Sequence, residues 1–119
     1  MSETRASTDD TTIAASDVLT EAMPTYVLLT KFTQQGIENV DESPRRTVDA
    51  KAMVEDLGGT WRAFFITMGR YDGVVIVDFP DDETMAQAAL KLARSGNVTT
   101  ETLRAFTLEE FDDIVEAMG

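Results

Sequence analysis

The chain reads as an α+β domain, and three observations predict it. Apolar segments rich in β-branched residues lie at 25–32, 60–68, 74–79 and 97–106. Segments with apolar residues at helical spacing fall between the first and second of these, between the third and fourth, and after the last. Glycine, proline and short polar signals stand at the joints. The resulting order is β-α-β-β-α-β with an added C-terminal helix, the ferredoxin-like arrangement.

The first strand, Thr25 to Phe32, carries apolar residues on both parities, as expected when both sheet faces are covered. A connection through Gln34-Gln35-Gly36 leads to Ser43-Pro44, where serine suits a helix N-cap and proline the first helical position. The helix that follows has the stripe Ala50, Met53, Val54 and Leu57, and Gly58-Gly59 ends it. Thr60 to Met68 and Val74 to Phe79 are the arms of a central hairpin around Gly69-Arg70-Tyr71-Asp72-Gly73, in which Asp-Gly is a strong turn signal. After Pro80, Asp81 or Asp82 caps a second helix with the stripe Met85, Ala88, Ala89 and Leu92, closed by Ser95-Gly96. Asn97 to Phe106 is the fourth strand. Thr107 and Glu110 then stand in the relation of a capping box, with Phe106 and Phe111 placed as a hydrophobic staple, and open a third helix with the stripe Phe111, Ile114, Val115 and Met118.

In this arrangement both main helices pack on one face of the sheet, so the other face needs cover. Along Val74 to Phe79 only Asp78 breaks the apolar run. An apolar sheet face without cover predicts association. Two such sheets packed face to face form a dimeric α/β barrel, and a homodimer or higher homo-oligomer is expected.

Composition bounds the chemistry. The 119 residues, 43% apolar, suit one domain with a real core. There is no cysteine and no histidine, which removes the thiolate nucleophile, the usual general base and the usual transition-metal ligands. Proton transfer would have to use carboxylates, Tyr26, Tyr71 or a lysine. The net charge of -12 divides as -4 over residues 1–23, -3 over 24–107 and -5 over 108–119. Without clustered Lys/Arg, nucleic acid and anionic membranes are poor partners. No apolar run approaches bilayer length, and the N-terminus lacks the features of a signal peptide, so a cytoplasmic protein is expected.

Residues 1–23 form an extension before the domain at 24–119. The first twelve are rich in Ser, Thr and Asp and read as disordered. Ala15, Val18, Leu19 and Ala22 share one face of a short helix. Two readings stand for this segment: a solvated extension, or a docking peptide that seats its apolar face on a protein partner and makes the protein cargo-like.

Gly69-Arg70-Tyr71-Asp72, Phe79-Pro80-Asp81-Asp82-Glu83 and the run from Gly96 to Thr107 together resemble the GYD domain family, named for its glycine-tyrosine-aspartate signature. The likeness covers about residues 24–118. It implies the dimeric α/β barrel fold and carries no catalytic residue or cofactor, because the family has no well-established reaction.

The candidate pocket residues are Trp61, Arg62, Tyr71, Asp72, Glu101 and Arg104. Tyr71 and Asp72 serve either as turn and rim residues or as proton donor and acceptor at a cavity mouth. The fourth strand has polar residues on both parities, which fits a charged sheet edge. It fits equally a strand whose Glu101 or Arg104 faces a ligand, the arginine gripping a carboxylate or phosphate. Trp61, Ala63, Phe65 and Thr67 share one strand face and read as an aromatic cluster or a pocket lining for an aromatic small molecule. No metal site is expected, because Asp81/Asp82 belong to a helix start and Asp112/Asp113 to a solvated helical face. Three functions follow. One is a small homodimeric ligand-binding or accessory protein without assignable catalysis. A second is a cofactor-independent oxygenase or isomerase using a pocket lined by Trp61, Tyr71, Asp72, Glu101 and Arg104, and a third is a cargo-like or assembly protein localised by residues 13–23.

Overall fold

The computed structural model describes residues 23–119, together with two short paired strands, Ser7–Thr8 and Asp10–Thr11. The docking-segment candidates Ala15, Val18, Leu19 and Ala22 lie outside the described residues. From Thr25 the chain forms β1 (Thr25–Phe32), α1 (Gln34–Glu38), a 3-10 turn (Val40–Glu42), α2 (Ser43–Asp56) and β2 (Thr60–Ile66). It continues as β3 (Gly73–Asp78), α3 (Asp82–Arg94), β4 (Val98–Ala105) and α4 (Leu108–Ala117). The main sheet has the order β2-β3-β1-β4 with every neighbour antiparallel, which is the ferredoxin-like topology.

One face of this sheet holds the core. Tyr26 and Leu28 of β1 and Val75 and Val77 of β3 are buried against Val54 of α2 and Met85 and Ala88 of α3, with Phe79 wholly enclosed. Met53, Leu57, Ala89 and Leu92 pack around them, so the two helical stripes meet the sheet as their spacing predicts. Asp81 caps α3 by accepting from the Thr84 backbone N–H at 2.8 Å. The capping box of α4 forms in full: Glu110 N–H donates to the Thr107 hydroxyl, and Thr107 N–H to the Glu110 carboxylate.

The start of α2 differs from expectation. The 3-10 turn runs straight into the helix, so Ser43 is already helical (φ -57°, ψ -42°) and the cap position falls to Glu42, which makes no capping bond. The preceding connection is also more ordered than its sequence suggests. The Thr33 hydroxyl accepts from Gly36 N–H and donates to the Gly96 carbonyl, and Gln35 reaches Ser95 and Asn97. Gly36 is buried here because a Cβ at this position would stand 1.9 Å from the Asn97 carbonyl oxygen. Only glycine lets α1 lie so close to the start of β4.

In β2 the register shifts between Trp61 and Ala63, leaving Arg62 as the extra residue of a bulge opposite β3. The alternation therefore inverts. Trp61 and Phe64 share the helix-side face, their ring centroids 6.2 Å apart, while Ala63 and Phe65 turn to the opposite face. The expected grouping of Trp61 with Ala63 and Phe65 is corrected by this bulge, because a one-residue slip exchanges faces.

Among the described residues no helix lies on the opposite face. Val27 and Leu29 of β1, Val74 and Ile76 of β3, Phe65 of β2 and Leu103 of β4 align across the sheet, Phe65 being 59% and Leu103 43% exposed. The stripe of α4 is likewise open, with Phe111 56% and Met118 80% exposed. Helical periodicity in α4 thus marks surface that nothing within the described residues buries.

Candidate functional site

A cavity of about 320 Å³ lies between the helices and the sheet. Leu28, Val75 and Val77 form its sheet side, Met53 and Val54 one wall, and Met85 and Ala88 the other. These are apolar side chains that β1, β3, α2 and α3 turn inward for the reasons of periodicity already given.

Polarity along the cavity is graded. At the end where β1 begins, it is closed by Phe79, Val77 and Met85, all buried. At the other end, where β1 and α3 finish and α2 starts, its lining includes Ser43, Arg46, Thr47, Lys91, Ser95 and Asn97. Lys91 and Ser95 are exposed and Arg46 half-buried, so this polar end is the mouth. Arg46 is held there by its own bonds, Nη1 donating to the Asn39 carbonyl at 2.9 Å and Nη2 to that of Gly36 at 3.5 Å.

Of the six candidates from the sequence, Trp61 lines this cavity; the others stand elsewhere. Arg62 Nε donates to Asp78 Oδ2 at 2.6 Å, and the Thr25 hydroxyl donates to Asp78 Oδ1 at 2.7 Å. Asp78 is 1% exposed, so Arg62 serves as counter-ion to a buried carboxylate. Arg104 stacks on Phe106 (4.5 Å to the ring centroid) and Tyr26 (5.7 Å) at the sheet edge, and also donates to the Ala105 carbonyl.

Asp72 is tied into the backbone. Its carboxylate accepts from Phe32 N–H at 2.8 Å, its own N–H donates to the Thr30 carbonyl at 2.8 Å, and its carbonyl accepts from Thr67 N–H. The hairpin reverses earlier than the Asp72-Gly73 pair suggests, with Gly69 in the left-handed region (φ +108°) and Gly73 already the first residue of β3.

Tyr71 and Glu101 are brought together. The Tyr71 hydroxyl donates to Glu101 Oε1 at 2.5 Å, with the Arg70 guanidinium 5.8 Å from the ring centroid. They border a second hollow of about 270 Å³ with Lys31, Leu29 and Thr99, on the uncovered side of the sheet. The hydrogen bond to Glu101 holds the Tyr71 phenol above its ordinary pKa, because its proton is shared with an anion. On the helix side, Tyr26 is pushed up to about 12 by burial and by its bond to Asp82. The structure therefore corrects the idea of one pocket uniting Trp61, Arg62, Tyr71, Asp72, Glu101 and Arg104: the sheet itself separates Trp61 from the Tyr71–Glu101 pair. Among the described residues no group of three acids is placed to hold a metal ion, and no helix is long and apolar enough to cross a membrane.

Sequence reasoning passed over Arg46 and Lys91. Lys91 read only as a favourable charge in the last turn of its helix, and nothing local indicated that both would meet at a cavity mouth.

The arrangement of Gly69, Tyr71 and Asp72, one residue for the reversal and two tying the hairpin to β4 and β1, is built from the signature residues noted in the sequence. Residues 26–115 match the family described as the GYD domain. The chain belongs to the GYD domain family. A GYD-sized relative from Thermus thermophilus, described as "Glutamine synthetase and cystathionine beta-lyase binding protein", is 35% identical over 89 residues, covering 74% of this chain and 94% of that protein. No solved structure matches the chain.

Proposed function

We propose that this GYD protein is a homodimeric accessory protein that works by binding, with one further surface for a partner enzyme. The observation that carries the reading is the uncovered sheet face, where Val27, Leu29, Val74, Ile76, Phe65 and Leu103 lie side by side. A second copy covers this face with the same residues, so a two-fold dimer buries both at once. The polar hollow beside Tyr71 and Glu101 then falls at the rim of that interface.

Dimer formation leaves α4 to account for. Its stripe of Phe111, Ile114, Val115 and Met118 is backed by Glu109, Glu110, Asp112, Asp113 and Glu116, with no basic residue in the helix. An amphipathic helix of this kind suits a groove on another protein that is apolar at its floor and basic at its edges. The Thermus relative is described by the two enzymes it binds, which supports an enzyme as the partner here.

Co-sedimentation with purified glutamine synthetase and with purified cystathionine β-lyase tests this reading. Association with at least one of them is expected, lost in the double substitution Phe111→Ser, Ile114→Ser while the dimer persists. Association that survives that substitution would remove α4 from the account, and failure with both enzymes would remove them as partners.

A further inference from the structure

We propose that the cavity between the helices and the sheet binds an elongated apolar molecule ending in a carboxylate, with a medium-chain carboxylic acid as the simplest example. The proposal rests on the reading of the chain as a binding protein and names what is bound; it requires neither the dimer nor an enzyme partner.

Size comes first. At about 320 Å³ the cavity is at the lower end of the range occupied by small-molecule ligands, too large for a packing defect and too apolar to be filled by ordered water. Its closed end offers no hydrogen-bonding side chain to a guest, because Phe79, Val77 and Met85 close it. A guest there has to be apolar, since a polar group would lose its water without replacement.

Charge decides the other end of the guest. Arg46 and Lys91 reach the mouth from different helices, and Ser43, Thr47 and Asn97 add neutral hydrogen-bonding groups. Asp49 also borders the cavity, and its carboxylate is engaged with Arg45 on the same helix at 3.8 Å. The two cations therefore face the mouth without a carboxylate of their own in ion-pair range among the described residues. In a chain of net charge -12 this small cationic rim is the local exception, and it complements an anionic head group. Arg46 is fixed by its two bonds to backbone carbonyls, so its remaining N–H groups are positioned before any ligand arrives.

The molecule supplies its own reporter, because Trp61 is the only tryptophan in the chain and lines the cavity. Full-length protein is titrated with decanoate and, separately, with decanol, each below its aggregation threshold, while Trp61 emission is followed. The expected result is a saturable change with decanoate and binding of decanol weaker by about tenfold, the scale of a hydrogen-bonded charge. Arg46→Gln combined with Lys91→Gln should bring decanoate down to the level of decanol. Because Arg46 also braces α1, Lys91→Gln alone provides a variant at an exposed position, with an expected loss of about threefold for decanoate. No saturable response to decanoate, equal affinity for decanol, or full decanoate affinity in both variants would each overturn the proposal. The solution mass of the protein is unaffected by any of these results, so failure here leaves the accessory reading to its own test.

Discussion

The carboxylate of Asp72 accepts a hydrogen bond from the backbone N–H of Phe32 at 2.8 Å, joining the base of the central hairpin to the end of β1. The last residue of the first strand would otherwise present an unpaired donor beside the hairpin. Asp72 thus acts on the backbone of the fold, and its value is that of a partner for a half-buried N–H. Asp72→Ala should destabilise the protein by about 1–3 kcal/mol in denaturant unfolding, and Asp72→Asn, which keeps an acceptor, by less. Equal and negligible costs for both substitutions would show that the bond contributes nothing.

Both tyrosines resist ionisation, Tyr26 chiefly through burial and Tyr71 chiefly through its hydrogen bond to Glu101. Tyr26 is pushed up to about 12, first by burial and then by Asp82, and Tyr71 is raised above its ordinary 10.0, first by its hydrogen bond to Glu101. A folded pKa above the unfolded one means that the stabilisation is fully present below about pH 10 and is lost as pH rises through the folded value. Tyrosinate absorbance in the folded protein should therefore develop above the midpoint seen in denaturant, with Tyr26 last. Glu101→Gln should bring the Tyr71 step back toward 10 and leave that of Tyr26 in place.

Gly36 has no room for a side chain. With a Cβ expected 1.9 Å from the Asn97 carbonyl oxygen, Gly36→Ala forces α1 away from β4 and should cost about 1–3 kcal/mol in unfolding measurements. Because α1 also anchors Arg46 through the Gly36 and Asn39 carbonyls, the same substitution should weaken decanoate binding.

Arg62 is the exposed partner of a buried carboxylate. Removing it in Arg62→Ala leaves Asp78 with the Thr25 hydroxyl alone among its side-chain partners, and about 2 kcal/mol of stability should be lost. Asp78→Asn in the Arg62→Ala background should recover part of that loss, since the uncompensated charge is gone.

What was legible in the sequence was local. The stripes of α2 and α3, the Asp81 cap and the Thr107–Glu110 capping box are relations between residues three or four apart, and each took its expected form. What stayed hidden depends on pairing across the sheet. The bulge at Arg62 is visible only against the register of β3, and it is what sends Trp61 inward and Phe65 outward. The short helix at Gln34–Glu38 contains a glycine, which argues against helix, and its contact with Asn97 overrides that preference. Of the candidate site, Trp61 was named from its aromatic type, and its place on the helix-side cavity follows from the bulge. Arg46 and Lys91 come to one cavity through three-dimensional packing alone, and Tyr71 of the hairpin turn pairs with Glu101 of β4, thirty residues away.

The central claim is that the apolar face of the sheet is an interface between two copies, and solution mass tests it most directly. Sedimentation equilibrium of the chain should return twice the 13.1 kDa of one protomer or a higher multiple, and Phe65→Asp, which places a charge on the edge strand β2 of that face, should return 13.1 kDa with its secondary structure retained. A parent protein of 13.1 kDa, or a Phe65→Asp protein that stays associated, would contradict the account.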